Sequence, residues 1–327
     1  MKKINFTWWR VSILLTLIGV LFVFVVFFMG ISANRSGHIL NKKHNAVWAG
    51  HELVKDYKSK KDVQDFVNNL SKHQIDTVFV HAGPIEKNGS INPRTYSYAI
   101  SFLEYARQFN KDIKYQAWLG QVRGKIDLSD EKVRHNIARE CMILGQFAGF
   151  DGIHFDIEPV YNDDENFIKV LKECRGLLPK DKKISVSLAA YIPDSFVKFV
   201  ENIAKFDNVN SDKIYTDASK YADQIVVMTY DKGMDSAWMY ARFVKEQTIM
   251  LSDLLEGKEL FMGIPAYEDV KEGFDPKFEN IENGLKGVIE GLNDIRSSEE
   301  NFAGVAIYPY WEMTDEKWRI YDKLWLK

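Results

Sequence analysis

Cysteine is scarce in this chain, with two in 327 residues, Cys141 and Cys174. Neither belongs to a CxxC pair, so the common zinc and thiol-redox motifs are excluded. Both fall in stretches of helical period, where they read as buried free thiols or as a bridge between neighbouring helices. A basic field is missing as well. The formal net charge is −3, which makes nucleic acid an unlikely partner on electrostatic grounds. No glycine-rich turn follows the first strand-like run, and this counts against a doubly wound, dinucleotide-binding sheet. There is no internal repeat and no low-complexity stretch. No metal or cofactor is expected.

Charge is also absent from one long run near the amino terminus. Lys2, Lys3 and Arg10 precede residues 11–31, a stretch of 21 residues without a charge. At 1.5 Å per residue it spans the roughly 30 Å of a bilayer core. A cleaved signal peptide has a shorter apolar region, about 7–15 residues, and Ser32-Ala33 is a poor cleavage site. The expectation is therefore an uncleaved transmembrane anchor at 11–31, preceded by a cytoplasmic segment at 1–10 and followed by a polar tether at 32–44. Arg35, Lys42 and Lys43 balance the first charges, so the positive-inside rule does not orient the anchor. Export of the carboxy-terminal bulk is the natural reading of a single amino-terminal anchor. It places residues 45–327 on the outer side of the membrane, or in the medium if the segment is cleaved.

What fills residues 45–327 is a β–α alternation. Apolar strand-like runs occur at 46–49, 77–81, 113–118, 152–157, 184–190, 224–229, 260–264 and 304–308. Segments of helical period lie between them, at 62–71, 96–109, 132–147, 166–177, 237–255, 281–295 and 315–325. Residues 206–218, rich in Asp, Asn, Ser and Lys, read as a loop insertion. Eight strands alternating with helices predict an α/β (β/α)8 TIM barrel, whose chemistry belongs at the carboxy-terminal ends of the strands.

The fourth run ends in FDGIHFDIEPV, residues 150–160. Side chains alternate along a strand, so His154, Asp156 and Glu158 share one face while Ile153, Phe155 and Ile157 share the other. The apolar set belongs under the helices and the polar set in the barrel mouth. Two carboxylates this close repel, and with partial burial one of them is held protonated near neutral pH, as a general acid must be. A structural hydrogen-bond cluster or a divalent-metal site is the plainer alternative. The aromatic content of 13% fits a cleft whose walls stack on sugar rings, although a large aromatic core accounts for it equally well.

These residues carry a family resemblance. Asp151–Glu158 resembles the DGxDxDxE signature of glycoside hydrolase family 18, the chitinase-type barrels. Met228-Thr229-Tyr230-Asp231 is similar to that family's MxYD motif at the end of the sixth strand. Gly263-Ile264-Pro265-Ala266-Tyr267 resembles its GxPxY segment, and residues 183–191 resemble its fifth strand. The matches occur in family order from about Asn45 onward. The resemblance implies hydrolysis of a polysaccharide containing β-linked N-acetylglucosamine, by a retaining mechanism in which the substrate's acetamido group is the nucleophile. It implies Glu158 as general acid and base, Asp156 as the residue that orients the acetamido group, Tyr230 as donor to its carbonyl, and Asp231 as a sugar ligand. His154, Met228, Trp118, Tyr191, Tyr267, Tyr308 and Trp311 complete the candidate substrate site.

The sequence departs from the family pattern in three places. His154 stands where the family has its middle Asp, and alternation lets it donate to Asp156. Tyr308, with Trp311 nearby, stands where the family often has a cleft-floor Trp. Residues 117–120 (AWLG) replace the SxGG segment. Some members of the family bind carbohydrate without cleaving it, so a lectin-like barrel is the alternative function. Trp48, Trp118 and Tyr191, at or near strand ends, read equally well as sugar-stacking rings and as barrel core; His81 reads first as a satisfied structural histidine and second as a cleft residue, and Trp238, Trp318 and Trp325 read as helix packing.

Overall fold

The computed structural model describes residues 40–199, 209–270 and 273–326. The first strand, β1 (Ala46–Ala49), lies parallel between β2 (Thr77–His81) and the last strand, β9 (Phe302–Tyr308). The sheet continues from β2 through β3 (Lys114–Val122), β4 (Gly152–Glu158) and β5 (Lys183–Ile192). It returns through β7 (Gln224–Met228) and β8 (Glu259–Pro265) to β9. These eight strands close the expected parallel barrel. A three-residue strand, β6 (Val209–Ser211), extends the far end of β5.

Helices pack on the outside: α1 (Lys60–Lys72), α2 (Arg94–Phe109), α3 (Glu131–Met142), α4 (Glu165–Leu177), α5 (Asp194–Phe199), α6 (Asp212–Ser219), α7 (Ala237–Leu254), α8 (Ile281–Leu292) and α9 (Asp315–Trp325). Their starts are set by local chemistry. Ser59 accepts from Asp62 N at α1, and Thr314 accepts from Lys317 N at α9. Each such cap contributes about 1 kcal/mol. In α1 the spacing of Val63, Phe66, Val67 and Leu70 buries one face against the barrel. Outward strand residues such as Leu119, Phe155 and Ile264 are fully buried in the same layer, each stabilising the fold by about 1.5–3 kcal/mol.

The barrel interior is filled in tiers. At the bottom Gln116 Nε2 donates to Gln224 Oε1 at 2.5 Å, and Gln224 Nε2 donates to Glu259 Oε2 at 2.7 Å. Above them Trp48, Phe79, Val226 and Phe261 form an apolar tier. The carboxylates of β4 stand above this tier, at the open end. The bottom is also where the chain ends meet. Asn45 Oδ1 accepts from Trp325 Nε1 at 2.7 Å and from Val305 N at 3.3 Å, while Asn45 Nδ2 donates to Gln74 O at 3.1 Å.

Four expectations change. Of the loop expected at 206–218, residues 206–208 lie outside the described residues and the rest is no loop: it forms β6 and α6, because Ile214, Tyr215 and Ala218 share a face that buries against β5. Residues 40–44, assigned to the tether, dock onto the barrel floor, with Asn41 buried and Lys42 bound to the Glu299 carbonyl. Helix α8 stops at Leu292, short of the expected 295, whereas the helical segment expected at 132–147 is met by α3 and the π-helical turn Ile143–Phe147 that continues it. Trp238 is 62% exposed and packs little, whereas Trp318 and Trp325 are buried as expected. Cys141 and Cys174 are free, buried and hydrogen-bonded to each other between α3 and α4. Among the described residues no helix is long and apolar enough to cross a membrane. The expected anchor at 11–31 and the segment at 1–10 lie outside the described residues.

Candidate active site

A cavity of about 180 Å3 opens at the carboxy-terminal end of the barrel. Asp156 and Glu158 from β4 form one wall. Met228, Tyr230 and Asp231 enter from β7 and the turn after it, Tyr267 from beyond β8, Tyr308 from the end of β9, and Trp48 from β1. Tyr230 and Tyr308 are stacked with nearly parallel rings, centroids 5.8 Å apart and planes at 11°, and Tyr267 meets both edge-on. Gly263 makes this arrangement possible. A Cβ there would lie 2.6 Å from Val227 O and 3.2 Å from the Tyr230 ring.

The two carboxyls act on one another. Trp118 Nε1 donates to Asp156 Oδ2 at 3.0 Å. The other oxygen, Asp156 Oδ1, is buried and unpartnered, so it is placed to share the Glu158 proton or to accept from a ligand. Burial raises the Asp156 pKa, and its polar neighbours Glu158, Trp118 and Ser187 oppose this. Burial also raises Glu158 well above the usual carboxylate range, and the Asp156 charge adds to this. Burial and mutual repulsion therefore favour a singly protonated pair, with the proton on Glu158. Tyr230 is likewise raised by burial and by its acidic and phenolic neighbours, so its hydroxyl is a donor.

His154 behaves differently from the sequence expectation. It is fully buried below the cavity, stacked on Phe79 at 3.8 Å. Trp48 Nε1 donates to its Nε2 at 2.9 Å, its Nδ1 meets Ser185 Oγ at 2.8 Å, and Ser187 Oγ lies 3.0 Å from Nε2. These partners occupy both ring nitrogens, so the expected bond to Asp156 is replaced. Burial alone pushes its pKa well below 6.5. His154 is a neutral tier residue and lines no substrate cavity.

Tyr191 is also elsewhere. Its hydroxyl bonds Asp212 and its ring packs edge-on against Tyr215, which holds it in the layer between β5 and α6. Trp118 is nearly buried and acts on Asp156 from beneath. Trp311 is 52% exposed at the rim, edge-on to Tyr308 at 5.7 Å. His81 lines a neighbouring hollow of about 320 Å3 with His51 and Arg94; burial pushes its pKa down to about 4. The structure thus brings Glu158, Asp156, Tyr230, Met228, Asp231, Tyr267 and Tyr308 together. It adds Trp48, whose inward position on β1 was the available signal. A larger hollow of about 600 Å3 lies beyond Tyr267, lined by the acids that start α8 and α9.

The comparisons with known proteins agree with the barrel fold. The family model for glycosyl hydrolases family 18 matches residues 46–322. The uncharacterized glycosylase YvbX of Bacillus subtilis (strain 168) is 24% identical over 246 residues, which is 70% of this chain. The match takes in 66% of that relative, just under two thirds of its length. The spore cortex-lytic enzyme SleL of Bacillus cereus superposes with a TM-score of 0.59 at 14% identity, over 86% of this chain and 74% of that one. A mutant chitinase of Cycas revoluta, in complex with (GlcNAc)4, superposes with a TM-score of 0.60 at 12% identity, over 86% of this chain and 99% of that one. At these identities the structural likeness establishes the fold, and the family match over most of the chain establishes membership: the protein belongs to glycosyl hydrolases family 18.

Proposed function

We propose that the protein hydrolyses a glycan containing β-linked N-acetylglucosamine, with Glu158 as general acid and base and the substrate's own acetamido group as nucleophile. The observation that carries this is the placement of Glu158 beside Asp156 in an aromatic-walled cavity, where burial and the Asp156 charge favour its protonated form. Glu158 gives its proton to the glycosidic oxygen as the bond from that oxygen to the anomeric carbon breaks. The acetamido oxygen forms a bond to that carbon in its place. Asp156, left ionised, accepts from the acetamido N–H and faces the positive ring that results. Tyr230 donates to the acetamido group. Glu158 then takes a proton from water as the water opens the ring with net retention. The chitinase neighbour bound to (GlcNAc)4 and the cortex-lytic neighbour support a carbohydrate of this class.

The proposal extends to location. The 21 uncharged residues at 11–31 support a membrane anchor with the barrel on the outer side.

The test is turnover of fluorogenic chito-oligosaccharides by the wild type and Glu158→Gln. The variant should lose about 10²–10⁴-fold in kcat and keep its affinity for the oligosaccharide. Wild-type turnover in the variant would move the acid elsewhere. Binding without turnover by the wild type would identify a lectin-like barrel instead.

A further inference from the structure

Eight strands close the barrel, and β6 is a ninth. Its hydrogen bonds show what it holds. β3 accompanies β4 to its last residue, pairing Val122 with Glu158. On the other side the β4–β5 ladder runs from Gly152 to Phe155, which pairs with Val186. Residues 156–158 therefore extend past the end of that ladder. β6 bridges the gap. Asn210, in the middle of β6, is fully buried. Its Oδ1 accepts from Ala189 N of β5 at 2.8 Å, and its Nδ2 donates at 2.9 Å to the carbonyl of Val160, just beyond Glu158. Next to it, Ser211 N donates to Asn162 Oδ1 at 2.8 Å.

Residues 159–164 form the strap that leads from Glu158 to α4. Its far end is fastened as well. Asp164 Oδ1 accepts from Phe167 N at 3.0 Å, as the cap of α4, and from Arg123 Nη2 at 3.1 Å. The strap is thus held at Val160, Asn162 and Asp164, and the two fastenings nearest Glu158 come from β6. A side-chain amide suits this place, because its donor and acceptor each meet a backbone group that would otherwise be buried without a partner. Asn210 does not line the cavity, so any effect it has on catalysis passes through the strap. A general acid works only within hydrogen-bond reach of the atom it protonates, and a misplacement of about 1 Å can cost on the order of 10²-fold.

We propose that Asn210 is a positioning residue: its amide takes over where the β4–β5 ladder ends and holds the Glu158 carboxyl within reach of the leaving-group oxygen. The catalytic part rests on Glu158 being the general acid. The test uses the full chain and two glycosides of one chito-oligosaccharide, with phenyl and dinitrophenyl leaving groups. Dinitrophenolate departs without a proton, so kcat/KM on that glycoside is indifferent to the acid, whereas phenol needs it. Glu158→Gln sets the size of this bias. Asn210→Ala should lose about 10–100-fold in kcat/KM on the phenyl glycoside and less than about threefold on the dinitrophenyl one. Amide exchange across residues 160–162 should quicken by about tenfold or more in the same variant. Asn162→Ala removes only the acceptor for Ser211 N and should show the same bias at about threefold to tenfold; it decides the matter if Asn210→Ala does not fold. Equal losses on the two glycosides, no loss on either, or exchange at the wild-type rate overturns the proposal. Absence of the bias in Glu158→Gln, or of turnover in the wild type, would count against the acid assignment instead, and the fastening of the strap is then decided by exchange alone.

Discussion

Trp118→Phe isolates the single hydrogen bond that the barrel wall gives to Asp156. The change removes the Nε1–H that donates to Asp156 Oδ2 at 3.0 Å. It keeps an aromatic ring against His81 and Tyr308, which the indole meets edge-on at 4.5 and 6.1 Å. A hydrogen bond to a charged acceptor contributes about 1.5–3 kcal/mol. At about 1.4 kcal/mol per tenfold, that is roughly 1–2 pH units of preference for ionised Asp156. The sign follows from the site. Burial already holds Asp156 above its ordinary value and the Trp118 bond opposes burial, so losing the bond raises the pKa further. Asp156 must be ionised to face a positive intermediate. The acidic limb of kcat/KM should therefore move to higher pH by about 1–2 units, with a smaller change in the plateau above it. The assay is kcat/KM against pH on one soluble fluorogenic chito-oligosaccharide, with Tm measured alongside. A limb that stays in place while the whole profile scales down would refute the reasoning. Asp156 ionisation would then be governed by Glu158 and by burial alone.

Three further outcomes follow from the same coordinates. Each histidine kept neutral by burial costs stability below about pH 6.5, by up to about 1.4 kcal/mol per pH unit, while a buried acid that holds its proton, as Glu158 does, contributes with the opposite sign. His154, held well below 6.5, and His81, pushed down to about 4, are two such histidines, so His154→Gln should lower the slope of unfolding free energy against pH between 6.5 and 5 by up to about 1.4 kcal/mol per unit; an unchanged slope would contradict a neutral, buried His154. Asn45→Ala strands the Trp325 and Val305 N–H groups and should cost about 2–4 kcal/mol in urea unfolding, and a loss below 1 kcal/mol would show that water replaces the amide. Protease added to intact cells should reach the barrel before the membrane is broken, and protection until lysis would reverse the proposed orientation.

The barrel was legible because parallel strands buried on both faces read as short apolar runs, and those at 46–49 and 77–81 coincide with β1 and β2. Alternation correctly put Asp156 and Glu158 on one face. The same rule failed for His154, because sharing a face does not mean sharing a tier: two residues lower on the strand, the ring is closed in by Trp48, Phe79 and Ser185 from three other strands. Helix α6 was hidden by composition, since three apolar residues suffice to dock it among polar neighbours. Asn210 and Val160 carried no local signal. They are separated by 50 positions, and what joins them is a side-chain amide meeting a backbone carbonyl, which no side-chain pattern announces. Tyr191 has the inward parity of Ser185 and Ser187, but the added strand β6 draws the end of β5 away from the mouth.

The seam at Asn45 fixes how the molecule stands. β1 begins at Ala46 and runs toward the cavity, so the docked residues before it lie on the opposite floor, beside Glu299 and Trp325. Whatever precedes residue 40 departs from that floor. Under the proposed anchoring, the floor and not the mouth is the end of the barrel nearer the tether, and a seven-residue strand, roughly 20 Å, separates the two.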